Sequence, residues 1–192
     1  MSAVRPQVLV VSASPAVKSR SRTLAKQALM ALTDAGIEGR WLDLAEYDLR
    51  LFPQSERDPT TAWMREEFEG ADGFVLACPV YNLSAGSAIV NFLHYVIESK
   101  GARPFRPFLI LGGAGSPRSQ LTLDIVARSM LHELRAIQIG PSLIGAGTEV
   151  DPDSGTVAPW LAARVKEATE ALAVHAIVAA TQVPQAVQGA GR

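Results

Sequence analysis

The chain has 192 residues, 48% of them hydrophobic and 19% charged, with a formal net charge of −1 and a pI near 6.3. That length is one ordinary domain, and the apolar share supplies a sizeable core and excludes a disordered chain. The near-neutral balance gives no global pull toward nucleic acid or anionic membrane, so any bound anion has to be held by local geometry.

Apolar runs of strand length alternate with helical patterns along the chain. Residues 8–13 form a continuous valine-rich run, as expected for a strand buried on both faces. From Ser21 the period changes, and Ala25, Ala28, Leu29 and Leu32 fall on one face of a helix ending near Gly36. Residues 41–44 read as a short second strand, and residues 58–70 as a helix whose charges over 63–69 form a solvated face. GFVLAC, residues 73–78, is a third strand, followed by the turn-like segment 79–87 and a helix over 88–97. Residues 108–111 make a fourth strand, closed by Gly112 and Gly113. Leu123, Val126, Met130 and Leu134 mark the next helix, and residues 136–144 supply a fifth strand. Leu161, Val165, Ala168 and Leu172 give the last helix its buried face. The expected fold is α/β: a three-layer, doubly wound, five-stranded parallel sheet. Residues 1–183 would form one domain, and residues 184–192, rich in Gln, Gly and Ala, a frayed tail.

Such sheets bind ligands beyond the carboxyl ends of their strands, which singles out the loops after strands one, three and four. The first loop lies in SASPAVKSRSRT, residues 12–23, where Ser14, Ser19, Ser21 and Thr23 interleave with Lys18, Arg20 and Arg22. A helix N-terminus carries unpaired N–H groups and partial positive charge, so hydroxyls and an arginine around it make a cup for a terminal phosphate monoester. The G-x-G-x-x-G pattern of dinucleotide sites and the Walker pattern of nucleoside triphosphatases are both absent. The competing reading is that these serines are ordinary helix caps and the basic residues are solvated.

After the third strand come Pro79, Val80, Tyr81 and Asn82. Proline stiffens the loop, Tyr81 could wall an isoalloxazine ring, and the N–H groups of Tyr81 and Asn82 could meet its edge. Gly112, Gly113 and Ala114 end the fourth strand, where glycine allows close backbone approach to a ligand. A surface-packed tyrosine and a plain glycine turn are the alternatives. The shared position of all three loops, at one end of one sheet, favours a single site.

Other chemistries find little support. His94, His132 and His175 show no metal-ligand spacing, and there is no G-x-S-x-G elbow. Cys78 is the sole cysteine, which excludes an internal disulfide, fits a reducing cytoplasm, and reads as a small core residue rather than a nucleophile. The N-terminus shows no secretory signal, and the apolar stretch 172–180 is too short to span a bilayer. Gly145 to Thr148 reads as a loop.

In these loops the sequence resembles the NADPH-dependent FMN reductase family of flavodoxin-like proteins, in particular the FMN reductases of two-component alkanesulfonate monooxygenase systems. The family's G-S-P-R-x-x-S-R-S loop corresponds to residues 13–21, its P-V-Y loop to Pro79, Val80 and Tyr81, and its G-G turn to Gly112 and Gly113. The likeness covers roughly the first nine-tenths of the chain. It implies that Ser14, Ser19, Arg20 and Ser21 hold the FMN phosphate. Pro79, Val80, Tyr81 and Asn82, with Gly112, Gly113 and Ala114, would line the ribityl chain and ring. It also implies NAD(P)H as hydride donor, FMN as cofactor, a homodimer or homotetramer, and a partner monooxygenase as one recipient of reduced flavin. No side chain is expected to serve as acid or base, and no metal is expected. The sequence departs from the family at Ala13 and Ala16, where glycine and arginine are usual. Val90 and His94 stand where many relatives carry lysine and aspartate, and Ile125 where the alkanesulfonate-system reductases have an inserted aromatic. Alternative activities are a quinone, azo or metal-ion reductase and a non-enzymatic flavodoxin-type electron carrier. Against the carrier, the chain lacks the acidic surface expected for docking redox partners.

Overall fold

Valine and leucine alternate along β1 (Gln7–Ser12) so that Val8 and Val10 point to one face and Leu9 and Val11 to the other, all four buried. A strand buried on both faces sits at the middle of a parallel sheet. The computed structural model describes residues 5–49, 59–97, 103–116, 121, 123–125, 131 and 134–181. After β1 the described elements are α1 (Arg20–Asp34), β2 (Glu38–Asp43), α2 (Pro59–Gly70), β3 (Gly73–Tyr81), β4 (Ser84–Ala85), α3 (Ser87–Ile97), β5 (Pro107–Ala114), β6 (Ile137–Gln138), β7 (Leu143–Ala146) and α4 (Pro159–Thr181). Leu121, Leu123, Asp124, Ile125 and Leu131 are also helical.

The sheet runs β2-β1-β3-β5, with β6 and β7 both lying along the outer side of β5. All these pairings are parallel. One face packs Val8 and Val10 against α1 (Leu24, Ala25, Ala28, Leu32) and α4 (Leu161, Val165, Leu172, Ala176). The other packs Leu9, Val11 and Phe74 against α2 (Met64, Phe68) and α3 (Ile89, Phe92, Val96). The expected three-layer, doubly wound architecture is therefore present, and the sequence path turns back at β1, between β2 and β3.

Four local expectations change. The fifth strand, expected over 136–144, is two short pieces. Gly140 has φ +68°, Pro141 has no N–H, and Ser142 N–H and the Gln138 amide bond to Asp124 Oδ1 at 3.0 and 3.3 Å. Ile139 N still donates to Phe108 O at 2.7 Å, after which residues 140–142 bow away from β5, and Ser142 N–H is met by the neighbouring helix. β3 continues beyond Cys78: its ladder with β5 reaches the pair Pro79–Gly113, and Val80 and Tyr81 then pair antiparallel with β4. Asn82 and Leu83, at φ 50° and 58°, make the tight left-handed turn of that hairpin. Gly112 and Gly113 likewise lie within β5 rather than in a turn after it. The charged face expected over 63–69 is only partly solvated. Glu67 is ion-paired with Arg40 of β2, and Arg65 Nε donates to Tyr95 O at 3.0 Å, so these charges tie α2 to its neighbours. Val126 and Met130, start residue Asp58 of the second helix, and the expected tail 184–192 lie outside the described residues.

At the amino end of β3 and β5, Phe68, Phe74 and Phe108 stack with centroids 4.3 and 4.5 Å apart. The buried Arg106 guanidinium lies 4.5 Å from the Phe68 centroid and donates to Phe68 O and Ala71 O at 2.6 and 3.0 Å. Burial lowers its pKa to about 10, so it stays charged at neutral pH. Phe74 is the middle ring and fully buried. Phe74→Ala is expected to cost about 3–5 kcal/mol, read as a lower urea midpoint at unchanged slope.

Candidate active site

The carboxyl ends of β1, β3 and β5 meet around an open cleft of about 200 Å³. Its lining comes from the three loops singled out by the sequence: Ser14, Ser19 and Arg20 from the first, Pro79, Val80 and Tyr81 from the second, Gly113 and Ala114 from the third. Ala16, Lys18, Gly115 and Pro152 also line it, and no described lining residue is acidic.

The first loop is shaped from inside by Arg22. This side chain is buried, and its guanidinium donates to the carbonyls of Ala16, Val17 (2.7 Å) and Ser14 (3.0 Å). It is also paired with Asp43 at the end of β2, at 2.8–2.9 Å. In a trans peptide the C=O and the following N–H point in opposite directions. Drawing the Ala16 and Val17 carbonyls inward therefore turns the N–H groups of Val17 and Lys18 away from the guanidinium, free for an anion. By sequence, Arg22 is one of three basic residues interleaved with the loop's hydroxyls, open to the anion cup or to solvent. Its charge is instead spent on Asp43 and the loop backbone. The sequence signal was only a basic residue three positions into a serine-rich helix start, which cannot say which way that residue turns.

Ser19 caps α1, with φ −146° and ψ 134°, its hydroxyl accepting from Arg22 N at 3.5 Å and lying 3.0 Å from Ser21 Oγ. The capping and cleft-lining roles coincide in this one residue. The helix contributes its N-terminal partial charge to the cleft, with Lys18 and Arg20 beside it.

Three of the expected site residues are not in the lining. Ser21 is fully buried beneath Ser19, in the first turn of α1. Gly112 faces the core, where an added Cβ would sit 2.8 Å from Leu123 and 2.9 Å from Ile144. Asn82 is at the hairpin tip. Period two along β5 explains the second case: consecutive residues face opposite sides of the sheet. Gly113 faces α1, and its Cβ would lie 2.5 Å from Ser21 N and 3.0 Å from Arg20 Cβ. Glycine there lets the N-terminus of α1 settle onto the strand end.

Residues 145–148, read from sequence as a loop, instead end β7 at Ala146 and begin a short helical turn, and the segment that follows adds what the motifs missed. Arg20 Nε donates to Gly147 O at 3.0 Å, Pro152 lines the cleft, and Lys18 is ion-paired with Asp153 at 2.5 Å. No local pattern predicts that residues about 130 positions apart meet across the cleft.

A profile of the family described as NADPH-dependent FMN reductase matches residues 6–150. The chain belongs to that family. Membership makes it a flavin oxidoreductase that works with FMN and NAD(P)H. A Pseudomonas putida protein named FMN reductase (NADPH) is 24% identical over 166 residues, covering 83% of this chain and 81% of that protein. An apo NADH:FMN oxidoreductase superposes with a TM-score of 0.75 at 22% identity, over 88% of this chain and 89% of that one. The FMN-dependent NADH-azoreductase from Bacillus anthracis, solved with FMN, gives 0.67 at 14% identity, over 88% and 99%. At these identities the structural likeness shows the fold, which is that of flavin reductases.

The residues present fit the family's cofactor. FMN needs an anion cup for its phosphate and close backbone approach for its ring. The cleft offers a capped 15-residue helix N-terminus, two cations, and a strand end that is open at Gly115, where an added Cβ would meet nothing within 4 Å, with half-exposed Tyr81 on its rim. The departure at Ala16 leaves a short side chain beside Lys18 and Arg20, so the loop keeps cations without the family's arginine. Val90 and His94 lie half-buried on α3, and Ile125 is exposed on its helix. Among the described residues, no group of three or more His, Cys, Asp or Glu is arranged to hold a metal.

Cys78 is buried at the strand end, and burial pushes its thiol up to about 12. The folded value lies above the ordinary 9.0, so this group's contribution to stability is full below pH 9 and is lost as pH rises toward 12. The folded protein is expected to resist thiol alkylation at pH 8 and to react once unfolded in guanidinium. Replacing Arg22 by Met leaves Asp43 and the loop carbonyls without their partner. Chemical denaturation should show a loss of about 3–5 kcal/mol.

Proposed function

We propose that the protein binds FMN with its phosphate on the first loop and its ring between the second and third, and reduces flavin with NAD(P)H. The observation that carries this reading is the convergence of three strand-end loops on one cleft with a capped helix N-terminus, two cations and no carboxylate among its described lining residues. Ser14, Ser19, Arg20, Lys18 and the outward N–H groups of the first loop hold the phosphate. Ser21 braces the Ser19 hydroxyl from beneath. Pro79, Val80 and Tyr81 form the stiff wall of the ring site, with Asn82 setting the turn that presents Tyr81, and Gly113 and Ala114 close the opposite side. Gly112 serves the core under this wall.

Bound flavin supplies the hydride-accepting chemistry. The chain's own part is to fix the ring, exclude water from one side of it, and aim backbone donors where negative charge develops. We propose a cytoplasmic enzyme, consistent with a single buried cysteine and with no described helix long and apolar enough to cross a membrane. A homodimer or homotetramer is supported by exposed apolar side chains, Val174, Ile177 and Val178, along one stretch of α4. Reduced flavin passes to a partner monooxygenase or to a quinone or azo acceptor.

Purified protein with FMN is expected to oxidise NADH or NADPH rapidly, followed at 340 nm. Failure with both nicotinamides overturns the reading, and turnover with a quinone but not with excess free FMN moves the acceptor. Gly113→Ala should cost about 1–3 kcal/mol by overpacking the α1 N-terminus and should weaken FMN binding in flavin fluorescence titrations.

A further inference from the structure

Lys18 and Arg20 are the cationic side chains of the described cleft lining, and both reach toward the same segment. They are not engaged alike. Arg20 donates to a neutral carbonyl, Gly147 O, and keeps its charge available. Lys18 instead meets the Asp153 carboxylate at 2.5 Å, with both side chains about two-thirds exposed. The ion pair raises the Lys18 pKa, first through its hydrogen bond to Asp153 and then through the charge attraction.

Asp153 does not depend on Lys18 for its position. It lies in a turn that holds itself together. Asp153 N donates to Asp151 Oδ1 at 2.9 Å, Gly155 N to Asp151 O at 2.9 Å, and Asp151 N to Thr156 O at 2.8 Å. Ser154 Oγ donates to Asp151 Oδ2 at 2.7 Å, and Val150 bridges Val157 below the turn. Val150 is buried against Gly145, where an added Cβ would lie 2.3 Å from its Cγ2. The backbone that carries the acid is therefore fixed on the frame, and the long lysine reaches across to its carboxylate. An exposed pair of this kind contributes little to folding. Its consequence falls on whatever anion approaches Lys18.

We propose that Asp153 sets how weakly the FMN phosphate is held, by competing with it for the Lys18 ammonium. This rests on the assignment of the phosphate to the first loop. A phosphate entering the cleft must share the ammonium with that carboxylate or displace it, so it is held less tightly than the two cations alone would hold it.

The test compares dissociation constants for FMN and riboflavin, from flavin fluorescence, in the full chain and its Asp153→Asn and Lys18→Met variants. Asp153→Asn is expected to tighten FMN about three- to fivefold at low ionic strength and to leave riboflavin unchanged, because riboflavin has no phosphate. The gain should vanish near 1 M salt, where the screening length falls to about 3 Å. Lys18→Met should weaken FMN alone, and adding Asp153→Asn to it should change nothing further. The melting temperature of Asp153→Asn should match the parent; a large drop would mark the pair as structural and overturn the proposal. Unchanged or weaker FMN binding in Asp153→Asn also overturns it, as does tightening that persists without Lys18, which would mean direct repulsion. A lower KM for NADPH with unchanged FMN affinity overturns it too, by moving Lys18 to the nicotinamide nucleotide. If the parent holds FMN no more tightly than riboflavin, the phosphate assignment itself fails, an outcome separate from these.

Discussion

The buried Arg22 guanidinium ties the loop after β1 to the end of β2. It stands in the first turn of α1, takes the carbonyls of the loop after β1, and pairs with Asp43 at the end of β2. Burying such a cation is costly unless its partners are well placed, and breaking the set by removing one member is worse than never having built it. The loop must therefore wrap around the arginine with its carbonyls inward. Its amides then face outward, which is what an anion at a helix N-terminus requires. The outward-facing amides are a by-product of satisfying a buried charge.

The same economy appears at the strand ends. β3 and β5 run side by side to the pair Pro79–Gly113, so the stiffest residue of one loop is set against the most permissive residue of the other. Proline gives up a donor where no further parallel partner exists, and glycine gives up a side chain where α1 needs the room. Val80 and Tyr81 are then held by the short hairpin with β4 rather than left in a free loop, and the aromatic ring is presented at the cleft rim. The cleft is open because three strands end together. Its described lining carries two cations, Lys18 and Arg20, and no acid, with Asp153 just outside it paired to Lys18.

A redox site needs different rigidity in its two halves. On the proposed placement of FMN, the ring side is built on strands paired almost to the rim, which suits a group whose angle to an incoming nicotinamide decides the rate. The proposed phosphate side carries an exposed ion pair. At the opposite end of the sheet, Arg106 lies over stacked phenylalanines and is held by carbonyl bonds.

By itself the sequence determined the layers and the end of the sheet that matters. Two-sided strands such as residues 8–13 and one-sided helices such as α1 are written in local periodicity, and local periodicity is what burial demands of each element. Ser19 as a cap, the three loops, and the absence of a dinucleotide glycine pattern were legible for the same reason. Tertiary structure alone decided which way individual side chains turned and which distant residues arrived. Arg20 and Arg22 are two positions apart in the same helix start, yet one lines the cleft and the other is buried beneath the loop. Gly112 and Gly113 look alike in sequence, but strand pleating sends the first to the core and the second toward α1. Pro152 and Asp153 reach the first loop only because β7 ends beside β5, a long-range pairing that leaves no mark on the residues around them. Local pattern records what a residue needs, whereas the partner that meets the need is set by the packing of the whole chain.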